Sequence, residues 1–370
     1  MKKKGVEKVA IIKCRSYRQK EVDKAIKRAL KFLEFDTKKW KRILIKPNVL
    51  GYYEKNLEAI ITHPSIVKAL IKIFKGRQLI GESSFMDTKK SFEKTGYQFK
   101  GKKIFEQEKL VKVKDDKAKI LKEFYLPEIL KQIDLLINVP KLKTHTLTKI
   151  TGAIKNLYGC IPGGLKQVLH KKATGGENFS SLLVDIYQNL KPQLNIMDAV
   201  VGMEGEGPSA GKSKKVGLIL ASKNAVALDI VASKIIGYSP SEIWMIKEAV
   251  NRKLYPGLKV KIVGDFKKIP NLKFEKPAPE KRTLVRAVLR KLVRENPILV
   301  NKERCVKCGI CARKCPVKAI KLNPYPEINK KKCIRCFCCI EVCPQHALYL
   351  KEIPVRRLIK KIRERKKPKA

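Results

Sequence analysis

No apolar stretch in the sequence approaches the roughly 18 residues needed to span a bilayer, which argues against a membrane-embedded chain. The lysine-rich start also lacks an apolar core and a small-residue cleavage site, so the expected location is the cytoplasm. Acid is scarce: 34 Asp and Glu face 84 Lys and Arg, a formal net charge of +50. Such a charge points to nucleic acid, an anionic membrane surface or an acidic protein partner. Lysine is spread along almost every segment, however, and no nucleic-acid-binding motif accompanies it, which leaves RNA binding as a minor reading. Histidine is scarcer still, at four residues, so where each one lies is informative.

Cysteine is what the chain has in pattern. Eight of the eleven fall in two runs, Cys305-x2-Cys308-x2-Cys311-x3-Cys315-Pro316 and Cys333-x2-Cys336-x2-Cys339-x3-Cys343-Pro344. Two-residue gaps let three thiolates fold around one corner of a cubane, and in two-cluster ferredoxins the fourth cysteine of each run serves the other cluster. The spacing therefore predicts two [4Fe-4S] clusters, one on Cys305, Cys308, Cys311 and Cys343, the other on Cys333, Cys336, Cys339 and Cys315. Zinc takes its ligands in pairs and has no use for the proline after each fourth cysteine. Cys338 reads as a bystander thiol, and Cys14 and Cys160 as small buried apolar residues. Oxygen-sensitive thiolate clusters suit a reducing, anaerobic cytosol.

Apolar runs alternate with amphipathic stretches over the first three quarters of the chain. The fold class expected is α/β, with a mainly parallel-sheet N-terminal domain and a small α+β two-cluster ferredoxin-like C-terminal domain. Strands are predicted at 9–12, 43–45, 79–81, 135–139, 194–197, 216–220 and 260–263, and helices at 21–33, 64–73 and 225–236, with Thr62 as cap of the second helix. The domain bounds read as 1–275 for the α/β part, 276–296 for a basic connector, 297–352 for the ferredoxin-type part and 353–370 for a basic tail. Leu358, Ile359 and Ile362 of that tail share a helical face suited to an anionic surface or to weak packing on the ferredoxin unit.

In open α/β sheets ligands sit outside the carboxyl ends of the strands. The segments after the predicted strands carry Lys46, Asn48, Lys141, Lys143, His145, Lys155 and His170, read here as loops around an anion, a proton-transfer group or a metal. A glycine-rich hairpin, Gly202 to Gly211, would bring Asp198 or Glu204 to the same place. It is not a phosphate-binding loop, because position 206 is Glu rather than Gly and a strand succeeds it.

These segments resemble the family of the domain of unknown function three-sixty-two, often fused to a two-cluster ferredoxin. The matching pieces are Lys46-Pro47-Asn48, Thr62-His63-Pro64, Asn138 to His145, Thr151 to Gly159, Asp198 to Pro208 and Ala227-Leu228-Asp229. The resemblance implies an iron-sulfur protein. A more distant likeness is to the nickel-pincer lactate racemases, through the order His145, Gly152, Lys155, Pro162-Gly163, His170. It implies Lys155 as a cofactor tether, His170 as a metal ligand and His145 as an acid or base. Where the racemases place a further histidine, this chain has Glu82-Ser83-Ser84.

The function expected is that of an iron-sulfur redox protein. Its clusters pass electrons to an anionic substrate or cofactor in the α/β domain, with His145, His170 and Lys155 catalytic, Lys46, Asn48, Lys141, Lys143, Asp198 and Glu204 binding, and a further metal near His145, Lys155 and His170. The alternative is a non-enzymatic carrier or scaffold whose basic surface docks acidic redox partners.

Overall fold

Strands that alternate between two greasy faces need a layer of helices on each, and the chain supplies both. The structure is a computed structural model that describes residues 6–277 and 298–350. Packing divides the chain into two units, the first made of residues 1–277 with 334–337 and the second of 278–333 with 338–370.

In the first unit, β1 (Lys8–Lys13), β2 (Arg42–Pro47), β3 (Arg77–Glu82), β4 (Lys102–Ile104), β7 (Leu135–Val139), β8 (Lys141–His145), β9 (Lys149–Ile150), β10 (Leu194–Glu204), β11 (Lys212–Ser222) and β12 (Lys261–Gly264) form one sheet. Its path is β12-β1-β11-β10-β7-β2-β3-β4, with β8 beside β10 and β9 beside β8. The β5 (Leu110–Lys114) and β6 (Glu123–Pro127) pair stands apart as a hairpin. Pairing is parallel from β10 through β7, β2 and β3 to β4, and antiparallel where β11 meets β1 and β10.

Ile43 and Ile45 point to one apolar cluster and Leu44 to the other; Leu135 and Ile137 oppose Leu136 in the same way. This period of two sorts the side chains of every central strand. One face is covered by α1 (Gln19–Phe32) and α3 (Pro64–Ile73), whose buried residues recur at helical spacing. The short helices α2 (Leu57–Ile60) and α4 (Thr88–Lys94) lie in the connections after β2 and β3. The other face is covered by α7 (Gly175–Leu190), α8 (Ala225–Ile236) and α9 (Trp244–Asn251). Apolar all round, α8 is buried along almost its whole length, capped by Asn224 at one end and by Gly237 in the left-handed region at the other.

The strands β2, β3 and β4 add in one direction, whereas β7 returns to the opposite flank of β2. Such a reversal opens a crevice at the carboxyl ends of the two strands, the usual ligand position in open α/β sheets.

Local expectations are corrected at four places. The 138–145 segment is not a loop: Pro140 ends β7, which pairs with β2, and the chain resumes at once as β8 against β10. His170 lies on α6 (Gly163–Lys172), not in a loop. The cap of α3 is His63, whose ring nitrogen accepts from Ser65 N–H, while Thr62 is spent on Asn48 N–H and Val139 C=O. The glycine-rich hairpin is the turn between two 11-residue strands, so Asp198 sits in the middle of β10 rather than on a mobile tip.

The second unit repeats itself with a shift of 28 residues. Two short helices, Ile310–Arg313 and Cys338–Glu341, correspond, as do β14 (Ile320–Asn323) and β16 (Leu348–Leu350). Each half is stitched to the other: β13 (Ile298–Val300) pairs with β16, β14 pairs with β15 (Tyr325–Ile328), Asn301 N–H donates to Ala347 C=O, and Asn329 N–H donates to Ala319 C=O. The predicted connector at 276–296 and tail at 353–370 lie almost wholly outside the described residues.

Candidate functional site

Lys46 of β2, Glu82 of β3, Ser83 beyond it and Lys166 of α6 form a buried polar network at the carboxyl ends of β2 and β3. Lys46 Nζ lies 2.9 Å from Glu82 Oε2 and donates to Pro47 C=O at 2.7 Å; both residues are almost fully buried. Val49 N–H and Ser83 N–H add two further donors to Glu82, each at 2.9 Å. Burial nevertheless drives the Glu82 carboxyl above its ordinary range, with Lys46 and Lys166 pulling it back. From α6, Lys166 Nζ donates to Ser83 C=O and, at 2.9 Å, to Ser83 Oγ. Burial pushes Lys166 down to about 8, against the pull of Glu82 and Glu106. Ser83 Oγ donates to Glu106 Oε1 at 2.7 Å and accepts Gly163 N–H at 3.0 Å. Glu106 is exposed, so hydrogen bonds lead from solvent through Ser83 to a buried amine. Gly159 is required beside them, since a Cβ there would sit 2.1 Å from Glu82 Oε1.

A second network lies across the sheet. Lys141 Nζ reaches Asp198 Oδ2 at 2.8 Å and Tyr17 Oη at 2.7 Å; Tyr17 Oη donates to Asp198 Oδ1 at 3.0 Å, and His63 N–H donates to Asp198 Oδ2 at 2.9 Å. The β10 ladder is irregular between Ala199 and Val201, and Val200 N–H turns to Asp198 Oδ1 at 3.2 Å. The rings of Tyr17 and His63 stack with centres 3.9 Å apart. Burial lowers Lys141 and His63 and raises Tyr17. At the β2–β7 reversal, the amide of Asn138 donates to Asn195 and to Ala153 C=O, and Asn156 donates to Asn138.

His145 is buried on β8, its Nδ1 accepting Leu147 N–H at 3.0 Å. His170 is buried against Phe179, ring centres 4.4 Å apart, with Tyr158 at its edge. Lys155 extends its ammonium 5.9 Å from the centre of the same Phe179 ring, so that ring links Lys155 with His170. Lys143 Nζ donates to Ile60 C=O at 2.7 Å, Asn48 bonds Ile60 C=O, and Glu204 pairs with Lys214 at 2.9 Å. The expected attraction of Lys46 and Lys141 for an anion is thus met inside the protein, by Glu82 and Asp198.

In the second unit one cavity is lined by Cys305, Cys308, Cys311 and Cys343, together with Gly309, Pro326 and Pro344. Burial pushes Cys311 up to about 11, and Cys343, Cys308 and Cys305 act on it as close neighbours. A bound metal reverses that preference by stabilising the thiolate. Among the described residues no three His, Cys, Asp or Glu side chains converge to grip a single ion. The four thiols line one cavity, which suits a cluster bound by four cysteines. Amide hydrogens aim at sulfur in both halves, Ala319 N–H to Cys315 Sγ at 3.2 Å and Ala347 N–H to Cys343 Sγ at 3.1 Å. Left-handed backbone recurs at the same shift: Lys307 and Arg335, Gly309 and Phe337, Lys318 and His346. Cys338 stands where the first half has Ile310, a packing position.

Residues 43–234 match the family model described as Domain of unknown function (DUF362). The chain belongs to the DUF362 family. Residues 298–321 match the 4Fe-4S binding domain, so this DUF362 protein carries an iron-sulfur module at its C-terminal side. It is 30% identical over 219 residues to the thylakoid-associated protein sll1697 of Synechocystis sp., a match taking in 55% of this chain and 65% of that one. The chain therefore spans just under two thirds of that relative's length. Among solved structures it is similar to the lactate racemase apoprotein from Thermoanaerobacterium thermosaccharolyticum (TM-score 0.40, 13% identity, 60% of this chain and 55% of that chain). A protein from Thermotoga maritima is similar to a comparable extent (TM-score 0.37, 11% identity, 57% of each chain). No helix among the described residues of the DUF362 protein is long and apolar enough to cross a membrane.

Sequence reasoning missed Ser83, Glu106, Lys166 and Tyr17. Glu82-Ser83 was legible as polar residues closing a buried strand, but Lys166 carries no signal in a chain where lysine is everywhere.

Proposed function

We propose that the protein is an electron-transfer protein with two [4Fe-4S] clusters, which exchanges single electrons with an anionic ligand held at the carboxyl edge of the α/β unit. The observation carrying this reading is the company of Cys343. It lines a cavity with Cys305, Cys308 and Cys311, the first three cysteines of the other run. The 28-residue repetition of left-handed positions and of amide-to-sulfur bonds supports a second cluster on Cys333, Cys336, Cys339 and Cys315.

For the ligand, the support is position and chemistry. Lys46 and Asn48 lie at the end of β2, Lys141 and Lys143 on β8 and Asp198 and Glu204 on β10, and these are the proposed binding groups. Reduction consumes protons with electrons. His145, His170 and Lys155 are the proposed groups for it, joined by Lys166, whose amine titrates near 8 and connects to solvent through Ser83 and Glu106. The internal neutralisation of Lys46 and Lys141 favours a second reading, a carrier whose α/β unit binds without catalysing.

Metal and sulfide analysis of anaerobically purified protein tests the reading. Wild type should hold about eight irons, and Cys343→Ser and Cys315→Ser about four each, with different clusters lost by electron paramagnetic resonance. Four irons in wild type, unchanged by Cys343→Ser, would reject the exchanged ligands. In the same samples, a non-iron metal lost with His170→Ala or Lys155→Ala would establish the further metal expected there, and its absence from wild type would remove that part of the reading.

A further inference from the structure

Lysine is spread through the sequence, but the sheet of the α/β unit sorts it by edge. Five strands open on a cation: β12 on Lys261, β1 on Lys8, β2 on Arg42, β3 on Arg77 and β4 on Lys102. These strands run in one direction, so their starts share the amino edge of the sheet. The antiparallel β11 ends there too, its Ser222 opposite Val9 and Asn195, and Lys223 follows it. All of these cations are exposed except the half-buried Lys8. From β12 to β4 the path crosses seven strand spacings of about 4.8 Å, so the row runs for about 34 Å. At the carboxyl edge, by contrast, Lys46 and Lys141 turn inward onto Glu82 and Asp198.

The segments leading into β2 and β3 widen this row into a surface. Arg77 N–H donates to Lys41 C=O at 2.8 Å, and the ring of Phe35 lies 6.0 Å from that of Trp40 and 6.2 Å from that of Phe74, centre to centre. Trp40 Nε1 donates to Asp36 C=O at 2.7 Å, which holds the half-buried indole at the surface, and Lys39 extends its ammonium 4.6 Å from the ring centre. Phe32, at the end of α1, is 38% exposed. The acids nearby are already engaged: Glu34 pairs with Lys8 at 2.6 Å, Asp134 with Arg42 at 3.4 Å, and Asp36 accepts Lys38 N–H at 2.8 Å. Lys38, Lys39, Lys41, Lys75 and Arg77 are exposed and take no part in the ion pairs of the described residues.

We propose that the amino edge of the sheet is a docking face for an anionic lipid bilayer, with Phe32 and Trp40 at the depth of the headgroups. Lysine, a hydrated point charge on a flexible stem, outnumbers arginine here, which suits diffuse attraction to a charged plane better than the gripping of single phosphates. Aromatic side chains with one apolar and one polar end settle at such an interface. The carboxyl-edge site lies at the other end of the strands, so docking leaves it open.

The test is flotation of the full-length holoprotein, purified anaerobically, with phosphatidylcholine vesicles that contain or lack phosphatidylglycerol. Binding should require the anionic lipid and fall away towards 1 M salt, where the Debye length is about 3 Å. Lys39→Glu/Lys41→Glu, and separately Lys223→Glu/Lys261→Glu at the far end of the row, should each weaken binding about tenfold or more at low salt. The matched pair Lys247→Glu/Lys253→Glu, on and just beyond α9 at the other face of the sheet, should stay within about twofold. All six replaced side chains are exposed, so the fold does not rest on them. The chain has two tryptophans, Trp40 and Trp244, and in a Trp244→Phe background the emission of Trp40 should shift to the blue on the anionic vesicles. Equal loss in all three pairs, no loss in the first two, or an unmoved Trp40 emission overturns the docking face. Single-stranded RNA bound more tightly than the vesicles through the same lysines would also overturn it, and would give the face to a nucleic acid.

Discussion

Asp229 shows what burial does to a single residue. Its carboxylate on α8 accepts Ala153 N–H and Ile154 N–H, and those donors favour the charged form, yet burial outweighs them and pushes the group up to about 7 from an ordinary 3.8. A folded-state value above the unfolded one means the native protein binds this proton more tightly. The stabilisation is fully present below about pH 3.8 and is lost as pH rises to about 7, an effect of at most about 4 kcal/mol. Asp229→Asn should therefore flatten the fall in stability between pH 4 and 7, read as the urea midpoint of the α/β unit across that range. A slope unchanged by the substitution would assign it to other groups. Asp229 was visible in the sequence as part of a family motif, but its task was not, because the amides it caps are 75 and 76 residues away.

At the scale of elements, periodicity located the central strands and the helices α1, α3 and α8, since burial on one face or all round leaves a pattern in the chain. It failed where pairing rather than pattern decides. Pro140 looks like the end of a strand and the start of a loop, yet the chain continues in β8 because β10 is long enough to hold β7 with its first residues and β8 beyond them. The start of α5 (Gly152–Asn156) is set in the same way from outside. Gly152 has φ +66, and a Cβ on it would lie 2.6 Å from Asp229 Oδ1. Gly152→Ala should cost at least about 2 kcal/mol, from the strained backbone and the displaced cap together. Differential scanning calorimetry of the holoprotein measures it, and an unchanged transition would mean that α5 moves freely against α8.

The whole molecule has two sources of stability. The α/β unit closes two apolar layers around its sheet, whereas the second unit is small, and a cluster bound by its cysteines would supply folding free energy that so short a segment lacks. Removing iron with a chelator under reducing conditions should abolish the visible absorption and expose residues beyond 298 to proteolysis, while the α/β unit still melts cooperatively. Simultaneous loss of both units would show that the clusters support the whole chain.

An iron-sulfur site was legible before any coordinates, because three thiolates within seven residues, Cys305, Cys308 and Cys311, meet through local backbone geometry. Fold class was legible for a related reason: a strand buried on both faces must be apolar throughout. What tertiary structure alone decided is which charges meet. Lys46 finds Glu82, Lys141 finds Asp198 and Lys166 finds Ser83 across separations of 36, 57 and 83 residues, and in a chain with 84 cations no local signal distinguishes the buried few. The desolvation that turns an ordinary lysine into one titrating near 8 exists only once the sheet and its helices have closed around it.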